Sequence, residues 1–161
     1  MDVNWARAAI GAIVTNLQSL EFALRLFLAE SLAPGNLRLD IHLLQPGESV
    51  AESYLTNYDS LRTIINKANR RLLELHRAER VDAGVVGVRD ALAHGRVFAL
   101  TPGGPYRIVK FGRPANGVVR VASVMELSED RLKLEVKRSG DELLKVVRVS
   151  RELGIACFPN D

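Results

Sequence analysis

A single cysteine, Cys157, rules out an intrachain disulfide, and that scarcity of thiols fits a reducing compartment. No apolar run approaches the roughly 18 to 20 residues that a bilayer-spanning helix needs. The first residues, Met1-Asp2-Val3-Asn4-Trp5, lack the basic start and small-residue cleavage site of a secretory leader. Together these absences predict a cytoplasmic protein with no membrane partner. There is no P-loop, no dinucleotide fingerprint and no nucleophile elbow. None of the three histidines pairs with another at metal-ligand spacing, and one cysteine cannot build a zinc site. Neither a cofactor nor a metal is therefore expected. Internal repeats, low-complexity tracts and long linkers are also missing.

The chain has 161 residues, which suits one domain with one core. Hydrophobic residues make up 47% and charged residues 25%, a globular balance that argues against disorder. The net charge is only +3, but it is unevenly spread. Residues 96–125 hold Arg96, Arg107, Lys110, Arg113 and Arg120 and no acid. Such a patch is either a footprint for a polyanion or a solvated face. Arg96, Lys110 and Arg113 are its candidate substrate-binding residues. A DNA-binding regulator ranks low, because no helix-turn-helix signature accompanies so modest an excess.

The spacing of Trp5, Ala9, Ile13, Leu17, Leu20, Leu24 and Phe27 predicts a helix over about 4–32. Ile10, Val14, Leu26 and Leu28 widen its apolar surface, so it needs more than one packing partner, one of which suits a second subunit. Pro34-Gly35 ends it. Residues 37–44 alternate as a short strand or apolar loop. Tyr54, Tyr58, Leu61, Ile65, Ala68, Leu72 and Leu75 predict a second helix over about 49–77, with Arg70, Arg71, Arg77 and Arg80 favoured at its far end by the helix dipole. A third helix is expected from an Asp82 cap to His94, with Val85, Val88 and Leu92 buried and Gly84 and Gly87 admitting a close neighbour. Residues 97–100, 106–111 and 118–127 read as strands, separated by turns at 101–105 and 114–117. A last helix starts at Ser128, buries Leu132, Val136, Leu143 and Val147, runs towards Leu153, and has Gly140 as a point of kinking. The expected fold is mostly α: a helical bundle with a small antiparallel β-hairpin or meander inserted before the last helix.

His42 has no evident partner, and His76, among arginines, reads as a surface residue. His94 has company. It ends the third helix in the run Arg89-Asp90-Ala91-Leu92-Ala93-His94-Gly95. Five residues turn an ideal helix by about 500°, so Arg89 and His94 project about 140° apart and do not stack on one face. They reach one cleft only at the helix end, or if the last turn unwinds. An arginine grips phosphate oxygens and stabilises charge developing on phosphorus. A histidine moves protons to or from a 2′-hydroxyl or a leaving 5′-oxygen. The pair suits metal-independent RNA cleavage. One histidine is thin for a reaction that wants both base and acid, and a two-fold dimer would supply a second.

At these residues the sequence resembles the HEPN superfamily, whose members carry an Arg, a polar residue and, after a short interval, a His near a helix end. Arg89, Asp90 and His94 match that motif, with Leu92-Ala93-His94-Gly95 in its common form. The leading helix, with Asn16-Leu17-Gln18-Ser19-Leu20-Glu21, is also similar. The resemblance implies one domain over 1–161, helical over 4–95, with a β insertion at 96–127 and a closing helix at 128–153. It further implies a homodimeric, metal-independent endoribonuclease of toxin–antitoxin or antiviral-defence type, with an antitoxin or defence protein as a possible further partner. Arg89 would bind the scissile phosphate, His94 would transfer protons and Asp90 would orient one of them or position RNA. An alternative pairs Arg89 with Asp90 or with Glu21, a structural partner candidate, and leaves a dimeric module that binds RNA, a nucleotide or a protein without cleaving.

Overall fold

The computed structural model describes residues 1–34, 44–99, 101 and 103–155. The expected strand or loop at 37–44, His42 and Cys157 lie outside these residues, apart from Leu44. The order of elements is α1 (Val3–Leu32), α2 (Leu61–Glu74), α3 (Val85–His94), β1 (Arg96–Ala99), β2 (Tyr106–Phe111), β3 (Val121–Leu127) and α4 (Glu129–Glu152). The protein is thus mostly helical, with a three-stranded antiparallel sheet in the order β1-β2-β3 before its last helix. The chain forms two compact units, Met1–Gln18 with Gly84–Asp141 and Ser19–Ala83 with Glu142–Asp161. Each is discontinuous in sequence, and α1 and α4 contribute to both.

In the first unit, Asp2 caps α1: its Oδ1 accepts from the backbone N–H of Asn4 (2.7 Å) and Trp5 (3.2 Å). Ser128 does the same for α4 through the N–H of Arg131. Asn116 and Gly117 both have positive φ, at 52° and 75°, in the tight turn between Ala115 and Val118. That is the two-residue hairpin turn for which Asn-Gly is favoured. Regular pairing resumes only at Val121, so β3 is shorter than the expected 118–127. The α4 residues buried in this unit are Leu132, Glu135 and Ser139, with Val136 only half-buried. The polar members are tolerated because they are paired: Glu135 accepts from Arg131 at 2.9 Å and Ser139 from Asn16 at 3.2 Å. Gly140 does not interrupt α4.

In the second unit, α2 begins at Leu61, not near 49 as its apolar spacing suggests. The reason is Arg25, a buried guanidinium on α1. It donates to the carbonyl oxygens of Tyr54 (2.8 Å), Asn57 (3.2 Å) and Asp59 (2.8 Å) and to Asn57 Oδ1 (2.8 Å). Carbonyls drawn towards a cation are unavailable to a helix. Asn57 Oδ1 also accepts from the N–H of Asp59 (3.1 Å), and Ser60 caps α2 through the N–H of Thr63 (3.3 Å). Tyr58, expected in the seam, is fully exposed. Asn69 pairs with the Val81 backbone through both its amide nitrogen (2.9 Å) and its amide oxygen (2.8 Å), substituting for a strand neighbour. Cations at the expected basic end of α2 find partners within the unit: Arg71 donates through Nη2 to the Ser31 carbonyl and pairs with Glu74, and Arg77 pairs with Glu79. On α4, Glu142, Val146, Val149 and Ser150 are buried, while Leu143 and Val147 are half-buried.

The expectation of no membrane-length apolar segment needs correcting. By length and composition alone α1 could cross a bilayer, yet half of its most apolar stretch is buried inside the protein, as in a core helix. Leu26 and Leu28 are buried, Ile10 is half-buried, and Val14 and Phe22 remain exposed.

Two stability predictions follow. Arg25→Ala removes the donor to five acceptors, the carbonyls of Tyr54, Asn57 and Asp59, Asn57 Oδ1 and Glu21 Oε1, and should lower unfolding free energy by about 3 kcal/mol in urea titration. His76 ends α2 with φ at 56°, its N–H on the Leu73 carbonyl and that of Arg77 on Leu72. Gly154 closes α4 in the same way. Replacing His76 with glycine relieves left-handed strain, and should raise stability by about 0.5–1 kcal/mol in the same assay.

Candidate functional site

The candidate residues lie on α3 and at the start of the sheet, all within the first unit. The helix buries Val85, Val86, Val88 and Ala91, with Leu92 half-buried. It has no side-chain cap: Gly84 in helical conformation precedes Val85. The N-cap position falls at Gly84 and not at the expected Asp82, whose N–H donates to Glu142 Oε2 at 3.1 Å within the second unit. Nor does Gly87 admit a close neighbour, for a Cβ there would meet nothing within 4 Å.

The close approach comes instead at Gly95. Its N–H closes the helix on the Ala91 carbonyl at 2.7 Å. A Cβ at this position would overlap Ile108 Cγ2 and stand 2.5 Å from the Ala91 carbonyl oxygen. Ile108, in the middle of β2, is fully buried. Gly95 therefore lets the chain leave α3 and enter β1 with no intervening loop, His94 being the last residue of one and Arg96 the first of the other.

Arg89 and Asp90 are half-exposed neighbours, with Arg89 Nη1 3.5 Å from Asp90 Oδ1. A pair so long and so open to solvent contributes little binding energy. His94 is exposed. Because α3 stays helical through His94, the last turn does not unwind, and the angular separation of about 140° applies. Arg89 points to one side and His94 to another. Glu21, in the second unit, accepts from Arg25 at 2.9 Å.

The candidate cations divide between the faces of the sheet. Register puts Arg96 opposite Val109 and Phe98 opposite Arg107, whereas Lys110 lies on the reverse face with Ile108. Arg96 stacks on Phe111, its guanidinium carbon 5.4 Å from the ring centroid. Arg113 is exposed beyond the end of β2. Charge alone groups Arg96, Lys110 and Arg113, leaves Arg107 as one more member of the basic patch and does not single out Phe98 or Phe111. Alternation within each strand pairs Arg96 with Phe98 and Arg107 with Phe111, and the β1–β2 register joins the two pairs on one face. Among the described residues, no three His, Cys, Asp or Glu side chains cluster as a metal site.

Comparison with known proteins finds no matching family model, no similar curated protein and no similar solved structure.

Gly95→Ala tests the junction. It should destabilise the fold by about 2 kcal/mol or more in denaturant titration, because the clash involves a backbone oxygen as well as a side chain.

Proposed function

We propose that this protein is a HEPN-like, metal-independent endoribonuclease that works as a homodimer, with Arg89 and His94 of two copies forming a composite site. The observation that carries the proposal is the α3 terminus. An arginine and a histidine, both open to solvent, sit on a helix that stays regular to its last residue. Their divergence means that one copy presents them in different directions. A two-fold axis near the helix end would bring the Arg of one copy towards the His of the other.

The chemistry follows from the residue types. The 2′-hydroxyl of the RNA attacks the adjacent phosphorus. One imidazole accepts the hydroxyl proton as the new O–P bond forms. The guanidinium of Arg89 stabilises the charge gathering on the phosphoryl oxygens. The bond to the 5′-oxygen breaks, and that oxygen takes a proton from an imidazolium. The products are a 2′,3′-cyclic phosphate and a 5′-hydroxyl. Asp90, beside Arg89, orients the guanidinium. Toxin–antitoxin or antiviral-defence duty, a cytoplasmic location and an antitoxin or defence partner belong to the same proposal, resting on the resemblance of the Arg89–Gly95 segment.

The alternative is a non-catalytic dimeric module in which Arg89 pairs with Asp90, a 3.5 Å contact that contributes little by itself. The two readings separate on purified protein incubated with mixed cellular RNA in EDTA. The enzyme reading expects cleavage to 2′,3′-cyclic phosphate ends. It expects a loss of at least about a hundredfold in Arg89→Ala and in His94→Ala, both still folded and dimeric. Equal cleavage by wild type and variants, or none by a folded dimer, would contradict it.

A further inference from the structure

The outward face of the sheet is unusual for a surface. Register gathers Arg96 and Phe98 of β1, Arg107, Val109 and Phe111 of β2, and Val121, Val124 and Glu126 of β3 on one side. Phe98 and Phe111 are 44% and 39% exposed, and Val121 and Val124 are more open still. A face with two open phenyl rings is not a solvated exterior. Its charged residues are two cations, Arg96 and Arg107, and one acid, Glu126 opposite Arg107, while Arg113 and Arg120 lie in the segment between β2 and β3.

We infer that this face is a stacking platform for single-stranded RNA, feeding the strand to the His94 end of α3. The inference rests on the RNA-cleaving reading above and specifies the class of RNA. Single strands are bound without sequence readout by aromatic rings that stack bases and by cations that track the backbone. Both are present in alternation. Phe98 lies opposite Arg107, and Phe111 is four residues further along β2, about 13 Å at strand rise. Arg96 lies between them and stacks on Phe111, which orients the guanidinium plane beside the ring and leaves its N–H groups for phosphate. A duplex keeps its bases stacked inside and offers these rings nothing. A protein partner would have to bury Arg96 and Arg107 with only Glu126 to neutralise them on this side, which disfavours a second copy as the occupant. Gly95 joins platform to site: His94 immediately precedes the bend and Arg96 immediately follows it.

The test is binding, kept separate from cleavage. His94→Ala protein is titrated into fluorescent single-stranded RNA of about ten mixed-sequence nucleotides, a length within the usual span of such platforms, and into the same sequence as a duplex. The platform predicts preference for the single strand. Phe98→Ala and Phe111→Ala should each weaken it about tenfold, while Phe98→Tyr and Phe111→Trp should retain it. Arg96→Gln should lower the salt dependence of binding by about one ion. Circular dichroism and size exclusion establish that the alanine variants keep their fold and assembly. Unchanged affinity in the folded Phe variants, preference for duplex, or no binding of single strands would overturn the inference. So would loss of the dimer in Phe98→Ala or Phe111→Ala, which would make the face a self-interface. Binding through Phe98 and Phe111 without any cleavage by wild type would support the platform and sink the RNase reading. Cleavage that persists when both rings are removed, with unchanged affinity, would do the reverse.

Discussion

Everything proposed for this protein depends on the absence of a side chain at position 95. Any Cβ there would overlap Ile108 and press on the Ala91 carbonyl. Gly95 is therefore required for packing, not for a left-handed turn: its φ of −89° suits any residue. By allowing β2 to lie against the end of α3, it fixes His94 at a helix terminus and starts β1 at the next residue. A loop at this point would uncouple the histidine from the sheet. The glycine converts two secondary structures into one junction, with titratable chemistry on one side and a basic, aromatic surface on the other.

A different constraint organises the second unit. Arg25 is buried, and a buried guanidinium must find acceptors. It takes them from Glu21 and from the backbone of residues 54–59. The segment before α2 is thus shaped by an arginine thirty residues upstream in sequence. Hydrophobic spacing could not reveal this. Tyr54 and Tyr58 extend the apolar rhythm of α2, and only the competing demand for carbonyl oxygens stops the helix at Ser60.

Where local rules decide, the sequence was legible. The extent of α1, the position of β2, the Asn116-Gly117 turn and the end of α3 at His94 all follow from spacing, caps and turn residues. Where a distant polar partner decides, it was not. The buried residues of α4 include Glu135, Ser139, Glu142 and Ser150, so an apolar template finds Leu132 but passes over these in favour of the half-buried Val136, Leu143 and Val147. The candidate site divided along the same line. Arg89, Asp90 and His94 were visible as a motif on one helix. The grouping of Arg96 with Phe98, Arg107 and Phe111 needed strand register, which charge alone does not carry.

The divergence of Arg89 and His94 along α3 gives the proposed mechanism its sharpest consequence: the site belongs to two chains. The most direct measurement refolds wild-type chains with an excess of the Arg89→Ala/His94→Ala double variant, so that nearly every wild-type chain sits in a mixed dimer, and assays RNA cleavage in EDTA. A composite site predicts that activity per wild-type chain falls well below that of the wild-type dimer, since the mixed dimer lacks the Arg89 and the His94 that the second copy must supply. Mixed dimers that keep full activity per wild-type chain would contradict the account.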